Sequence, residues 1–453
     1  MTATRIAVIG MGYVGIPAAA LFADVDGFEV TGIQRRSQRS GWRIEYLNEG
    51  KNPIGGNEPG LSELIERVVK ERHSFRVTDD YSIMKDMDYI LIDVQTPTDA
   101  THVPRYESLR EVSVLVGKHL RKGATVIIES TCAPGTTTYI VKPIIEEHSG
   151  LTAGQDFHLV FSYERVMVGR LLYNIINYPR IVGGLTPECT ERGMWLYKHI
   201  VKERLLPTDP LTAEMAKVVE NTYRDVNVAF ANEVALACES LGVNVFEMRE
   251  LVNSLPFNSN AYRDLHIPGA GVGGHCLPKD PWLLKYGVDT YGTSQVDFPV
   301  VQASRQINVF MPQHTVQLAI GALSQQVKIA PKEQIIAVLG VAFLENADDT
   351  RNTPTVDVIE ALKERNYQVR AHDPHVNQRD FEYPLSADLE EVVAGADAII
   401  LVTKHKEYQD ADLSHLGELM RHRILVDGRN VWTAEEAGKA GFLYVGVGKP
   451  RAV

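Results

Sequence analysis

The sequence predicts an α/β protein with two doubly wound parallel-sheet domains, joined by a central helical domain that contains one long helix. Three observations predict this fold class. A strand, a glycine-rich turn and a helix follow one another near the amino terminus. Strand-like runs alternate with helical stretches in the last third of the chain, and a long helical pattern lies between these two regions. The length of 453 residues suits about three domains.

Composition narrows the possible partners. The chain is 44% hydrophobic and 23% charged, with a formal net charge of −12 at pH 7. This balance disfavours nonspecific nucleic-acid binding, which needs an excess of Lys and Arg. We also expect no membrane span and no secretion signal, and hence a cytoplasmic protein. The four cysteines lack the spacing of a metal site or a disulfide framework, so we predict neither; they are Cys132, Cys189, Cys238 and Cys276.

The first element is a strand at residues 6–9, which is followed by the pattern GxGxxG and by an Ala-rich helix to residue 23. In this context Gly10 permits the tight turn, Gly12 lets backbone N–H groups approach a pyrophosphate, and Gly15 lets the helix pack close to the strand. The segment therefore predicts a dinucleotide site. Its candidate cofactor-binding residues are Gly10, Gly12, Tyr13, Val14 and Gly15.

The second strand, residues 28–33, ends where an acidic residue would bind the ribose hydroxyls of NAD. Gln34 holds that position here, and Arg35 and Arg36 follow. Two guanidinium groups would attract a 2′-phosphate, so the residues leave NADP open beside NAD. Alternatively, the two arginines belong to a solvated loop.

Two further strands are predicted at residues 89–94 and 125–130, and each ends in a polar turn. Because ligands bind at the carboxyl ends of strands in an open parallel sheet, we expect Thr96 and Thr131 to lie at the cofactor crevice. Capping of a turn or helix is the alternative role for both threonines.

Residues 212–241 contain neither Pro nor Gly, and their apolar residues recur at helical spacing, which predicts one long helix. Lys217 and Asn221 lie four residues apart and share a face. An ammonium and a carboxamide placed in this way can stabilise an oxyanion and move a proton. On spacing alone, an ordinary surface pair is the better interpretation.

The segment 268–280 is a glycine-rich loop that presents Cys276, with Asp280 four residues further on. Glycines let the backbone pass close to a ligand. In a chain with a nicotinamide site, a thiolate can trap an aldehyde so that a second hydride can leave. An inert buried cysteine is the alternative.

The carboxyl-terminal third shows a second βαβ pattern without a glycine fingerprint. Its predicted strands are residues 334–339, 367–371, 398–403 and 423–426, with a helix at 355–365. We therefore predict a Rossmann-like cofactor domain at residues 1–206, a helical dimerisation domain at 207–311 and a second Rossmann-like domain at 312–453.

Taken together, these motifs resemble the UDP-glucose/GDP-mannose dehydrogenase family along nearly the whole chain. The landmarks occur in order at residues 10–15, 48–61, 96–97, 130–136, 163–165, 217–221, 273–280, 348–351 and 427–430. His275 and Val168 stand where the UDP-glucose branch usually has Ser and a second Glu. The sequence is therefore more similar to the branch that acts on UDP-N-acetylhexosamines. In two places it departs from the family pattern, with Gln34 for the usual acid and Leu344 for a common Lys.

The resemblance implies an NAD-linked, four-electron oxidation of a sugar C6 alcohol to a uronic acid, with the N-acetylmannosamine substrate preferred and N-acetylgalactosamine next. Cys276 would form a thiohemiacetal and then a thioester. Lys217 and Asn221 would stabilise oxyanions, Asp280 would assist proton transfer, and Glu164 and Thr131 would order the hydrolytic water. Lys279 is assigned to the cofactor site. The implied substrate-binding residues are Glu164, Arg165, Val166, Lys217, Asn221, Arg263, Gly273 and Arg351.

The resemblance also implies a homodimer and no metal. Three other functions remain open on the sequence: a UDP-glucose 6-dehydrogenase, a single-step hydroxyacid dehydrogenase, and a non-catalytic nucleotide-binding scaffold. The hydroxyacid dehydrogenase has no use for Cys276, and the scaffold would reduce no cofactor.

Overall fold

The computed structural model describes residues 3–38, 40–255 and 264–450. The chain forms two compact units. The first comprises residues 1–220 and 279–297, and the second comprises residues 221–278 and 298–453.

The first unit contains an eight-stranded sheet with the strand order β3-β2-β1-β4-β5-β6-β7-β8. Neighbouring strands are parallel except β6 and β7. The strands are β1 (Thr4–Ile9), β2 (Phe28–Ile33), β3 (Phe75–Thr78), β4 (Tyr89–Ile92), β5 (Thr125–Ile128), β6 (His158–Phe161), β7 (Arg180–Gly184) and β8 (Leu205–Thr208). The order reverses direction between β1 and β4, so a crevice is expected at the carboxyl ends of these two strands.

Both faces of this sheet are buried, as the apolar character of its central strands requires. On β1, Ile6 and Val8 belong to one hydrophobic cluster. Ala7 and Ile9 belong to another, on the opposite face. Successive side chains of a strand point to opposite faces, so an uninterrupted apolar run of this kind supplies two cores.

Strands β4 and β5 end two residues earlier than the sequence predicts. The backbone N–H groups of Glu129 and Ser130 both donate to the carbonyl oxygen of Ile92, at 3.1 Å each. This shared acceptor ends the regular ladder. The residues after Ile92 and Ile128 are therefore loop residues at the edge of the crevice.

Helices of the first unit cover the sheet. They are α1 (Gly15–Ala23), α2 (Arg43–Asn48), α3 (Leu61–Glu66), α4 (Glu107–His119), α5 (Lys142–Ser149), α6 (Leu171–Asn177) and α7 (Pro187–Tyr197). A π-helical turn, Thr137–Val141, leads directly into α5.

The long helix is present as predicted, and it begins two residues earlier. Helix α8 runs over 32 residues, Pro210–Leu241. Pro210 is its first residue, where a missing N–H removes no intrahelical hydrogen bond. The first part of α8 belongs to the first unit and the remainder to the second.

The second unit contains a six-stranded, all-parallel sheet with the order β11-β10-β9-β12-β13-β14. The strands are β9 (Ile335–Leu339), β10 (Gln368–His372), β11 (Leu385–Ser386), β12 (Ala398–Leu401), β13 (Ile424–Asp427) and β14 (Leu443–Gly446). The remaining helices are α9 (Val245–Val252), α10 (Asp280–Tyr291) of the first unit, α11 (Pro299–Gln326), α12 (Pro354–Glu364), α13 (Leu389–Val393), α14 (Lys406–Gln409), α15 (Leu413–Leu419) and α16 (Ala434–Lys439). Two doubly wound sheets and a helical central region confirm the predicted fold class.

Over the described residues, no helix combines the length and the apolar character that crossing a membrane requires.

Candidate functional site

The glycine turn after β1 has the geometry that a dinucleotide needs. Gly10 has a φ of 108°, and a Cβ added to it would lie 2.2 Å from the carbonyl oxygen of Asp93. A Cβ on Gly15 would lie 2.0 Å from the carbonyl oxygen of Gly10. A Cβ on Gly12, in contrast, would meet no atom within 4 Å. Gly10 and Gly15 therefore serve the fold, whereas Gly12 leaves open space beside the turn.

The amino terminus of α1 is compatible with an anion in that space. Val14 precedes the helix and provides no side-chain hydrogen bond to its first N–H groups. The first N–H groups of a helix favour negative charge, and a pyrophosphate can take the place of a capping side chain. The turn and the helix therefore fit the dinucleotide. Tyr13 and Val14 are half-buried there.

The residues that follow β2 form hydrogen bonds and ion pairs with neighbouring segments. Gln34 accepts a hydrogen bond from the N–H of Met11 at 3.1 Å and donates to Ser40 Oγ at 3.0 Å. It thus connects the end of β2 to the glycine turn. Arg36 forms ion pairs with Glu45 at 2.8 Å and Asp79 at 2.7 Å.

Arg35 is largely exposed and lies 3.6 Å from Glu111. Arg35, which directly follows Gln34, therefore has a weak ion pair. Arg36 already has two carboxylate partners.

Four predicted site residues of the first unit meet at the strand ends. Thr96 Oγ1 donates to the carbonyl oxygen of Thr131 at 2.5 Å, which joins the loops after β4 and β5. Lys279 Nζ donates to the carbonyl oxygen of Thr96 at 3.1 Å. The same ammonium lies 3.7 Å from Asp280 Oδ1, and both side chains are buried. The start of α10 therefore belongs to this cluster.

A second lysine lies on α8 next to the loop after β6. Lys217 Nζ donates to the carbonyl oxygen of Glu164 at 2.9 Å and lies 3.6 Å from Glu164 Oε1. It is also 5.2 Å from the centroid of the Tyr163 ring. The side chains of Lys217 and Glu164 are only 6% and 11% exposed, so their attraction is weakly screened. Glu164 in turn accepts a hydrogen bond from the N–H of Val166.

Arg165 has partners within the protein. It donates to the carboxylate of Glu220 and to the carbonyl oxygen of Pro179 at 2.7 Å. Tyr163 donates to the same glutamate at 2.8 Å. Arg165 therefore holds the loop after β6 against α8.

Beneath these loops lies a buried charge cluster that the sequence did not reveal. Arg180 pairs with Glu129 and donates to Ser162 Oγ at 2.9 Å, while Tyr197 donates to Glu129 at 2.6 Å. Burial raises the pKa of Asp93 well above its ordinary value, and the nearby Glu129 raises it further. Two acids and one arginine thus share this buried region.

Another buried carboxylate lies on the first turns of α8. Glu214 accepts hydrogen bonds from the N–H groups of Gly135 at 2.6 Å and Thr137 at 2.7 Å. It lies three residues before Lys217 on the same helix. The sequence pattern does not reveal this contact, because the loop that Glu214 binds comes from a part of the chain 77 residues away.

In the second unit, the glycine loop packs against the segment after β9. The N–H of Gly274 donates to the carbonyl oxygen of Arg351 at 3.0 Å, and Asn352 donates back to the carbonyl oxygen of Gly274 at 3.1 Å. A Cβ on Gly273 would lie 2.7 Å from the carbonyl oxygen of Asn352. A Cβ on Gly274 would lie 2.7 Å from the ring of Phe343. Close packing within the protein therefore requires these glycines.

The other predicted residues of this unit have different degrees of exposure and pairing. Cys276 and Asn221 are half-buried. Arg351 donates to the carboxylate of Asp349 at 2.5 and 2.8 Å. It therefore forms an ion pair within its own loop. Arg263 lies outside the described residues. Over the described ranges, no group of three or more His, Cys, Asp or Glu side chains is placed to hold a metal ion.

A glycine turn that fits a dinucleotide, with buried lysines and carboxylates at the ends of the same sheet's strands, defines a nicotinamide-dependent dehydrogenase. Three family models match the chain. They are the NAD binding domain at residues 4–201, the central domain at 211–309 and the UDP binding domain at 337–434. The chain belongs to the UDP-glucose/GDP-mannose dehydrogenase family.

Individual relatives match over nearly the full length. A UDP-N-acetyl-D-mannosamine dehydrogenase of Pyrococcus horikoshii is 38% identical over 445 residues, which cover 98% of this chain and 99% of that protein. A solved structure of the P. horikoshii enzyme matches with a TM-score of 0.89 at 38% identity and covers 99% of this chain and 100% of its own. A structure described as an NDP-N-acetyl-D-galactosaminuronic acid dehydrogenase from Methanosarcina mazei matches with a TM-score of 0.85 at 41% identity. The match covers 99% of this chain and 96% of the M. mazei chain.

Family membership establishes the enzyme class and the cofactor. The chain is an NAD-dependent UDP-sugar dehydrogenase, an oxidoreductase. The predicted use of NAD is thereby confirmed.

Proposed function

We propose that this protein oxidises the C6 alcohol of UDP-N-acetyl-D-mannosamine to the uronic acid. One observation carries the proposal: the near full-length match to an enzyme named for that substrate, at 38% identity. The paired Lys217 and Glu164 support it, because an oxidation of this kind needs a buried cation where negative charge develops on oxygen.

Cys276 is the proposed nucleophile. Oxidation of the C6 alcohol first gives an aldehyde. The Cys276 thiolate adds to the C6 carbon of this aldehyde and gives a thiohemiacetal, which is then oxidised to a thioester. Water cleaves the thioester, which releases the acid and returns the thiol. NAD, when bound, supplies the acceptor for the hydride that leaves in each of the two oxidations.

The polar residues divide the remaining tasks. Lys217 and Asn221, four residues apart on α8, stabilise the oxyanions. Asp280 accepts and returns protons at Cys276 and Lys217. Glu164 and Thr131 order the hydrolytic water.

Binding is assigned to a second set of residues. The glycine turn holds the pyrophosphate of the cofactor, and the end of β2 and the cluster around Thr96 hold the rest of it. The cofactor residues are Gly10, Gly12, Tyr13, Val14, Gly15, Gln34, Arg35, Thr96, Thr131 and Lys279. The substrate residues are Glu164, Arg165, Val166, Lys217, Asn221, Arg263, Gly273 and Arg351.

UDP-N-acetyl-D-galactosamine is the second candidate substrate. The M. mazei structure, which is described as acting on a galactosaminuronic acid, shares 41% identity with this chain. That value exceeds the 38% shared with the mannosamine enzyme.

A panel of UDP-sugars tests the proposal. Each sugar is incubated to completion with excess NAD, and reduced cofactor is counted per sugar consumed. Two reduced cofactors per molecule of the mannosamine substrate support the proposal. One per sugar at completion excludes the thioester route, and higher turnover of the galactosamine substrate transfers the assignment to that sugar.

We also propose a cytoplasmic homodimer with domains at residues 1–206, 207–311 and 312–453. Helix α8 supports the dimer, because exposed apolar side chains recur along it at Leu211, Met215, Val219, Tyr223 and Phe230. A catalytic thiol supports a reducing compartment.

A further inference from the structure

Glu214 links α8 to the loop after β5 through its carboxylate. One oxygen accepts the N–H of Gly135 at 2.6 Å, and the other accepts the N–H of Thr137 at 2.7 Å. Cys132 Sγ donates to the second oxygen at 3.5 Å. Glu214 is 0% exposed, so water does not compete for these hydrogen bonds.

The loop fits closely around this carboxylate. Tyr106 Oη accepts the N–H of Ala133 at 2.8 Å and a hydrogen bond from Thr136 at 3.2 Å. Gly135 has a φ of 98°, and a Cβ there would lie 2.6 Å from the ring of Tyr291. The loop is thus held at several points, but only Glu214 among these anchors lies on the helix that carries Lys217.

We propose that Glu214 is a positioning residue of the dehydrogenase: its carboxylate form holds the loop of Thr131 in register with Lys217 on α8, and protonation releases this constraint. The inference rests on the proposed function, because the roles of Thr131 and Lys217 are taken from it. It assigns Glu214 no contact with substrate.

The chemistry of the carboxyl group explains the switch. An ionised carboxylate presents acceptor positions on both oxygens and satisfies both backbone N–H groups. A protonated carboxyl group carries a donor on one oxygen, which opposes one of the two N–H groups. The loop then loses one of its two hydrogen bonds to α8.

The surroundings of Glu214 allow this change near neutral pH. Burial raises the pKa of Glu214 to about 7, and hydrogen bonds from Thr137, Gly135 and Cys132 act in the opposite direction. The titratable groups that face it are Cys132 from the loop after β5, Tyr106 from the start of α4 and Tyr291 from α10. Burial raises the pKa of the thiol of Cys132 well above its ordinary value, so Glu214 changes its charge first.

Stability and activity then depend on pH in opposite directions. The ordinary pKa of 4.5 applies to the unfolded chain, and about 7 applies to the folded chain. Between these values the folded protein holds a proton that the unfolded chain has lost, so stability increases as pH falls. Turnover, which needs the carboxylate form, decreases over the same interval. A purely structural role would make activity follow stability.

The test compares Glu214→Gln with Glu239→Gln. Glu239 is a buried glutamate on the same helix that accepts the N–H of Gly448 at 2.8 Å and a hydrogen bond of His314 at 2.9 Å. We measure kcat for the UDP-sugar from about pH 5.5 to 9. Wild type and Glu239→Gln should lose turnover as pH falls through about 7.

Glu214→Gln should lack that decrease, and its kcat at high pH should be about 10- to 100-fold lower, as expected for a misplaced catalytic group. A Glu214→Gln variant that keeps the decrease near neutral pH would overturn the proposal. So would a variant with wild-type kcat at high pH.

Hydrogen exchange provides a readout that does not depend on substrate. Glu214→Gln should lower the protection of amides in residues 131–141, while Glu239→Gln leaves them protected. If Glu214→Gln does not fold, wild type alone decides: protection of this segment should fall below pH 7, and constant protection refutes the proposal. If wild type oxidises no UDP-sugar, the proposed function fails, whereas the exchange result still determines whether Glu214 holds the loop.

Discussion

Lys217 is joined to Glu164 through both the main chain and the side chain of that residue. The ammonium donates to the Glu164 carbonyl oxygen at 2.9 Å and lies 3.6 Å from its carboxylate. One long helix thus fixes a cation against the loop that follows β6. A cation held in this way needs little rearrangement when charge develops on a substrate oxygen.

Replacing Lys217 with Met should therefore lower kcat far more than it raises KM. The variant keeps the apolar stem but loses the charge, and we expect a loss in kcat of about 10²- to 10³-fold. Steady-state kinetics with calorimetric titration of the UDP-sugar would separate the two parameters. Lys122→Met is the control, because Lys122 is 74% exposed and pairs with Asp156 on the surface. A higher KM with unchanged kcat would contradict the assigned role.

Alkylation should select Cys276 among the four cysteines. Cys276 is half-buried, whereas the other three are buried. Burial also raises the pKa of Cys132 and Cys238, so little reactive thiolate forms on either at mild alkaline pH. With limiting iodoacetamide, mass spectrometry should find one modified cysteine per chain, and activity should fall in proportion. Full activity after complete modification of Cys276 would argue against Cys276 as the nucleophile.

Local patterns were sufficient for the fold class. The glycine turn, four strands of each sheet and α8 follow from short-range periodicity and from the required positions of Gly and Pro. Strand ends were less predictable. The strand predicted at residues 125–130 stops at Ile128, because two successive N–H groups share the carbonyl oxygen of Ile92.

The buried carboxylates of the first unit were not predictable in this way. Glu214 binds a loop 77 residues away in sequence, and Arg180 binds Glu129 from 51 residues away. No local period encodes such pairs. Their roles depend on which strand ends the topology brings together, and only the folded chain shows this.

Charging the apolar face of α8 should separate the proposed dimer. Tyr223 and Phe230 are 70% and 58% exposed, and a charged pair of substitutions there would be costly to bury at an interface. Light scattering should give twice the chain mass for wild type and the single-chain mass for Tyr223→Glu/Phe230→Glu. Tyr173→Glu, at an aromatic residue 58% exposed on α6, should keep the wild-type mass. Equal masses for wild type and the double variant would place the interface elsewhere.

The glycines of the first turn should separate folding from cofactor binding. Gly10→Ala introduces a Cβ 2.2 Å from a backbone oxygen at a φ of 108°, so the free energy of unfolding should decrease by about 3 kcal/mol or more. Gly12→Ala meets no atom within 4 Å and should change the free energy of unfolding by less than about 1 kcal/mol.

A methyl group at residue 12 nevertheless occupies the space that the pyrophosphate needs, so NAD affinity of Gly12→Ala should fall about tenfold or more. Urea denaturation measures the free energy of unfolding, and calorimetric titration measures the NAD affinity. Gly27→Ala is unsuitable as a control because Gly27 has a φ of 81°; Gly321→Ala, on α11 with open space around its Cβ position, should leave NAD affinity unchanged. Gly12→Ala keeps the fold of the turn and fills only the space for the ligand. If this variant binds NAD as tightly as wild type, the turn after β1 does not hold the pyrophosphate.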